Sequence, residues 1–334
     1  MGKTYKDAGV DIEAGDSAVR SIKEIVKTTY NDNVLSDVGL FGGFYSFPKE
    51  DFNNPVLVSS TDGVGTKLKI AFQTGVHHTV GQDLVNHCVD DILTSGAVPM
   101  FFLDYLGTDV MREEIIVDVI KGFSQACREN SCVLIGGEMA EMGDFYQPGE
   151  YDLAGTIVGV VERDHIIDGT RISEGDVMIG LPSTGLHTNG YTLARNVLLE
   201  EFTVDTHLDE LGETVGEALL AVHKSYLNEI KPLIGDPGLK GLSHITGGGL
   251  LGNTQRILPD GLSLQVDWNA WDMPPIFQVL QNVGDVADEE MRRAFNCGIG
   301  FVVVTDQAST DSLTEHFRNT GADPVIIGNV VSSE

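Results

Sequence analysis

A chain of 334 residues, 42% apolar and 21% charged, has the balance of a folded globular protein and is long enough for two cores. Its net charge of −29 argues against a nucleic-acid or anionic-membrane surface, and apolar runs such as 115–117 and 157–161 are far too short to span a bilayer. Cys88, Cys127, Cys132 and Cys297 form no C-x-x-C pair and no basic-then-apolar leader is visible, so a reduced, cytoplasmic setting is expected.

In chain order, apolar spacing and turn residues predict an α/β (α+β) alternation. Residues 55–61 read as a strand, 81–96 as a helix, 100–106 as a strand, 112–128 as a helix, 132–135 as a buried strand and 153–161 as another strand. Asp168, Gly169 and Gly175 punctuate the next stretch, so the expected domains are 1–168 and 169–334. The second part reads as a strand at 177–181, helices at 191–199 and 215–230, and a strand at 262–266. A strand at 299–304, a helix at 310–319 and a strand at 324–331 complete it. Each domain is expected to be a mixed sheet covered by helices, with no strand order readable.

Several segments carry chemistry. Thr61 to Lys67 reads T-D-G-V-G-T-K after an apolar strand, where Gly63 and Gly65 allow close backbone approach to phosphate. Asp62 is placed for Mg²⁺ and Lys67 supplies a compact positive charge, although Asp-Gly is equally a turn signal. On helix 81–96, Asp83 and Asp90 share a face with His87 between them. Acids among Leu84, Val85, Val89 and Ile92 need a metal or an ionic partner if buried, or else mark a solvated face. His87 reads more naturally as a hydrogen-bonded structural histidine than as a ligand.

Gly136, Gly137 and Glu138 come after a buried strand and offer a second nucleotide–metal position, or a plain turn. In G-L-H-T-N-G from Gly185, His187 is a candidate acid–base and Asn189 a neutral donor; helix capping is the alternative. H-I-T-G-G-G from His244 brings three costly glycines before a helix, which favours close ligand approach. Gly247, Gly249 and Gly252 also satisfy G-x-G-x-x-G, with Asp267 about 20 residues on, the spacing of a dinucleotide site. Only 82 residues lie beyond Gly252, too few for both halves of such a fold unless the order is permuted.

Taken together and in this order, the segments resemble the phosphoribosylformylglycinamidine cyclo-ligase (aminoimidazole-ribonucleotide synthetase) family. The resemblance runs through Y-K-D-A-G-V-D-I-E-A-G from Tyr5, T-D-G-V-G-T-K-L from Thr61, F-F-L-D-Y from Phe101 and G-G-E-M-A-E-M from Gly136. It continues in Y-D-L-A-G from Tyr151, G-L-H-T-N-G-Y from Gly185, H-I-T-G-G-G from His244 and F-N-C-G-I-G from Phe295. It implies two α/β domains, a homodimer paired through the N-terminal sheets, ATP with Mg²⁺ and a ribonucleotide substrate whose imidazole ring is closed in purine biosynthesis. A related kinase of the thiamine-phosphate type is the alternative.

By that resemblance Asp62, Gly63, Gly65, Thr66 and Lys67 handle ATP and metal, Asp91 and Glu138 are further metal acids, and Lys23 and the stretch 39–43 contact nucleotide, as do Gly136 and Gly137. His187, Asn189, Thr246, Gly247 and Gly248 fall on the substrate side, with His187, Asp62, Asp91 and Lys67 as the catalytic group. Four departures stand out, the first being G-G-F-Y at 42–45 in place of a more glycine-rich loop. V-D-D replaces the family's V-N-D and adds Asp90. Met139 stands where a threonine is usual. Val222-His223 stands in place of a proline–threonine pair before the basic residue.

Overall fold

A computed structural model describes residues 12–333, so residues 5–11 of the Tyr5 motif lie outside the described region. The first half runs α1 (Ile12–Lys27), β1 (Pro55–Gly63), α2 (Leu68–Thr74), α3 (His78–Leu93), β2 (Val98–Thr108), α4 (Glu113–Glu129), β3 (Val133–Glu141) and β4 (Tyr151–Glu162). Its four strands lie in the order β1-β4-β2-β3. The β1–β4 and β4–β2 pairs are antiparallel and β2–β3 is parallel. A parallel neighbour demands a crossover, which α4 supplies.

Helices α3 and α4 pack on one face of this sheet at very close range. A Cβ on Gly81 would stand 2.4 Å from the Val119 carbonyl oxygen, and one on Gly122 would stand 2.0 Å from that of His78. Only glycine permits that approach. On the helix side Phe102 and Leu106 are buried, whereas Leu57 on the opposite side is 61% exposed. β1 alternates accordingly, as a sheet with one solvated face should.

The second half runs β5 (Val177–Pro182), α5 (Tyr191–Glu201), a small hairpin of β6 (His207–Leu208) and β7 (Glu213–Thr214), α6 (Val215–Leu220), α7 (Leu227–Ile230) and β8 (Leu239–His244). It continues α8 (Gly249–Thr254), β9 (Leu262–Val266), α9 (Pro275–Gly284), α10 (Asp288–Ala294), β10 (Ile299–Thr305), α11 (Thr310–Asn319) and β11 (Val325–Ser332). The strands form an antiparallel sheet ordered β8-β10-β5-β11-β9. β10 is buried along its whole length because both faces are covered. Phe301 and Val303 join one apolar cluster, while Val302 and Val304 join another. The first cluster also takes in Leu84, Phe102 and Phe123, so the two halves share a continuous core.

Two expectations are corrected. The helix expected over 215–230 is broken: α6 stops at Leu220 and α7 starts at Leu227. The N–H of His223 donates to Asp83 Oδ1 at 2.7 Å and that of Tyr226 to Asp90 Oδ1 at 2.9 Å, bonds that replace intrahelical ones. The dinucleotide alternative fails as well. β8 and β9 lie at opposite edges of an antiparallel sheet, and α8 is only six residues long, so no parallel β-α-β unit exists there.

Candidate active site

Sheet register lays Asp62, Gly155, Asp104 and Gly137 in one cross-strand row. α3 passes across the β1 end of that row and brings His87 and Asp91 to Asp62. His87 Nε2 stands 2.8 Å from Asp62 Oδ2, and Ser60 Oγ donates to Asp91 Oδ2 at 2.9 Å. Asp62, His87 and Asp91 each place a possible ligand atom within 4.8 Å of the others. Burial raises the Asp62 carboxyl, but the hydrogen bond and charge of His87 outweigh it and hold Asp62 below the usual carboxylate range. Asp91 is likewise lowered, burial being outweighed by its bond to His244. His87 is raised, because the Asp62 and Asp91 carboxylates outweigh its burial. The result is an anionic lip with an imidazole held against it.

The other end of the same segment is sealed. Lys67, expected to face phosphate, is fully buried. Its ammonium stands 2.7 Å from Asp83 Oδ2 and donates to the carbonyls of Ala221 at 2.7 Å and His187 at 3.2 Å. Burial pulls the lysine down and pushes Asp83 up, each opposed by the partner's charge. His187 is sealed too. It sits at φ 61° and stacks on His223 with ring centroids 4.0 Å apart, and its Nε2 accepts the Thr184 N–H at 3.2 Å. Burial drives it well below its ordinary value, so it is a neutral imidazole with no exposed surface.

Between these regions the expected substrate groups form a second lip. Asn189 Oδ1 accepts the Gly247 N–H at 2.9 Å, and Asn253 Nδ2 donates to the carbonyls of Thr246, Gly247 and Gly249. Gly247 and Gly248 stay exposed. Across the seam the Thr66 and Thr192 hydroxyls lie 3.1 Å apart, beside exposed Gly65 and the start of α5. That helix opens at Gly190 without a side-chain cap, which leaves its first N–H groups for an anion.

Asp104, Gly136, Gly137 and Glu138 line a cavity of about 680 Å³, bounded also by α1 and by residues 37–43. Lys23 lies beside it, 3.4 Å from Asp37. Asp104 is pushed up to about 7 by burial, with the charge of Glu138 adding to the effect. Glu138 therefore belongs with Asp104, not with the Asp62–Asp91 pair. The row's spacing puts Asp62 and Asp104 about 10 Å apart, two strand separations.

Sequence reasoning missed Asp104, Thr188, His223 and His244. Asp104 sits in F-F-L-D-Y, where a lone acid among apolar residues was the available signal. Thr188 Oγ1 stands 2.7 Å from His87 Nδ1 and 3.3 Å from His223 Nδ1, while His244 Nδ1 stands 2.9 Å from Asp91 Oδ1. No local pattern announces those contacts, which join residues far apart in the chain.

Comparison with known proteins gives a consistent result. Residues 50–161 match the family model "AIR synthase related protein, N-terminal domain" and residues 173–334 match the corresponding C-terminal domain. The phosphoribosylformylglycinamidine cyclo-ligase of Sorangium cellulosum is 50% identical over 336 residues, 99% of this chain and 96% of that protein. The enzyme of the same name from Pseudothermotoga lettingae is 46% identical over 334 residues, 100% and 98% of the two chains. In fold, the thiamine-monophosphate kinase of Stenotrophomonas maltophilia is similar at TM-score 0.70 and 16% identity, over 94% of each chain. With two domain matches spanning most of its length and full-length relatives at this identity, the chain belongs to the phosphoribosylformylglycinamidine cyclo-ligase family of AIR synthase related proteins.

Proposed function

We propose that the chain closes the imidazole ring of aminoimidazole ribonucleotide, converting formylglycinamidine ribonucleotide and ATP into that product, ADP and phosphate. The full-length match to curated cyclo-ligases carries this reading. In the reaction the γ-phosphoryl group of ATP moves to the formyl oxygen, which makes a poor leaving group a good one. The amidine-side nitrogen then attacks the formyl carbon and loses its proton, and phosphate departs with the oxygen.

The cavity bounded by residues 37–43 and 136–138 is large enough for a nucleotide, with Gly136, Gly137 and Glu138 in its lining and Lys23 reaching it through Asp37. Gly63, Gly65 and Thr66 supply N–H groups and a hydroxyl toward phosphate. Half-exposed Asp62 and the mostly buried Asp91 present hard oxygen donors at the lip, a set that fits Mg²⁺, while Glu138 would meet a cation only from the nucleotide cavity that it lines with Asp104. Bound there, Mg²⁺ would neutralise phosphoryl charge that a molecule of net charge −29 otherwise repels. Asn189, Thr246, Gly247 and Gly248 orient the ribonucleotide. Lys67 and His187 act as positioning residues, since neither has an exposed atom.

The chain divides near residue 168 into a nucleotide-binding part and a part completing the substrate lip. The open face of the first sheet, with Leu57, pairs two copies into a homodimer in the cytoplasm. No helix among the described residues is long and apolar enough to cross a membrane.

The deciding assay supplies purified protein with ATP, Mg²⁺ and formylglycinamidine ribonucleotide. Aminoimidazole ribonucleotide should appear with equal amounts of ADP and free phosphate. Phosphate retained on an uncyclised product would identify a kinase and overturn the assignment.

A further inference from the structure

Three imidazoles from distant parts of the chain converge behind the acid lip. His87 is on α3, His223 in the break between α6 and α7, and His244 at the end of β8. Their ring centroids form a nearly equilateral triangle with sides of 4.9, 5.1 and 5.3 Å, and the ring planes are tilted 62–71° to one another. All three are at least 95% buried. One ring nitrogen of each lies within 4.8 Å of the other two. His223 Nε2 and His244 Nε2 are 3.1 Å apart, close to the ~3.3 Å separating two nitrogens bound at about 2.0–2.1 Å to a tetrahedral ion.

A second observation points the same way. Asp90 is fully buried, and its Oδ2 has no hydrogen-bond partner. That oxygen stands 3.4 Å from His223 Nε2. A buried acid oxygen without a donor is costly, and a cation among the rings would offset that cost. The outer partners suit ligating histidines at two rings, with Asp91 Oδ1 2.9 Å from His244 Nδ1 and Thr188 Oγ1 3.3 Å from His223 Nδ1; His87 is held at Nε2 by Asp62 and at Nδ1 by Thr188, so its ligation replaces one of those two contacts.

We infer that His87, His223 and His244, with Asp90 beside them, bind one divalent transition-metal ion of the imidazole-preferring class, such as Zn²⁺ or Co²⁺. The ion clamps α3 of the first half to the 221–226 strap and β8 of the second. Mg²⁺ does not compete for it, because Mg²⁺ takes oxygen ligands and dehydrates reluctantly. The site backs onto the proposed Mg²⁺ lip, because His87 contacts Asp62 and His244 contacts Asp91, but its occupancy is read without ATP or substrate.

The experiment uses the full chain, stripped with a chelator and shown to be folded by circular dichroism, then titrated with Co²⁺. The expected result is one equivalent taken up, with the strong visible absorption of tetrahedral Co²⁺, displacement by Zn²⁺ but not by excess Mg²⁺, and a raised melting temperature. His223→Ala should weaken uptake more than about 100-fold, since losing an outer partner alone costs 10–100-fold. His223→Cys should keep the uptake and add a thiolate-to-cobalt charge-transfer band, which decides the matter even if the alanine variant does not fold. Folded wild-type protein that binds no Co²⁺, or only Co²⁺ that Mg²⁺ displaces, would overturn the site. Unchanged uptake by folded His223→Ala would do the same.

Discussion

Asp62 and Lys67 of T-D-G-V-G-T-K are five residues apart and meet opposite surroundings. Asp62 is half-exposed at a lip with His87 and Asp91, while Lys67 is enclosed by Asp83 and two carbonyls of the second half. One end can exchange ligands with solvent, and the other holds the molecule together. A residue type suited to phosphate binding is thus spent on structure because the chain turns it inward at the 3₁₀ turn Gly65–Lys67.

The sharpest break in this contrast comes from the sealed end. Lys67→Ala strands Asp83 in the interior and should cost on the order of 3–5 kcal/mol of stability, measured by urea denaturation. Replacing both partners, as Lys67→Met with Asp83→Leu, should recover much of that loss. A single variant as stable as wild type would show that the ammonium does not hold the seam.

At the open end the effect should move from stability to turnover. Asp62→Asn should lower kcat by roughly 100-fold or more, about 2.7 kcal/mol of barrier, with a melting temperature close to wild type. Saturating-substrate kinetics beside a thermal melt separate the two outcomes.

Asp104 lies between the extremes, and its pH behaviour carries a definite sign. Its carboxyl titrates near 3.9 in an unfolded chain and at about 7 in the fold. Between those values the folded state binds more protons, so stability from this group falls as pH rises from about 4 to about 7 and then levels off. Asp104→Asn should flatten that slope in denaturation curves recorded across the range. Thr66→Val should have the smallest effect. It removes one exposed hydroxyl contact with Thr192 and should cost about 0.5–1 kcal/mol in the same measurement.

The sequence was most legible where a single element decides its own fate. The strand at 262–266 and the helix at 310–319 match β9 and α11 residue for residue, because periodicity and turn residues are local properties. The helix expected over 215–230 failed because Asp83 and Asp90, more than a hundred residues earlier, capture its N–H groups. The same limit applies to the site. Asp62 could be placed at a strand end from the sequence, and Asp91 by family resemblance. The enclosure of Lys67 depends on Asp83, Ala221 and His187 arriving together, and G-T-K reads the same whether its lysine faces phosphate or a buried acid. His87 was visible among apolar neighbours, but its triangle with His223 and His244 exists only in three dimensions.

The strap between α6 and α7 has a consequence for substitution. Asp83 and Asp90 grip its main chain, and Asn86 donates to the His223 carbonyl at 2.7 Å. Amide groups are present whatever side chain they carry. The path of the strap is therefore held through its main chain, so a change of side chain at 223 would alter what meets the rings of His87 and His244 without redesigning how the two halves dock.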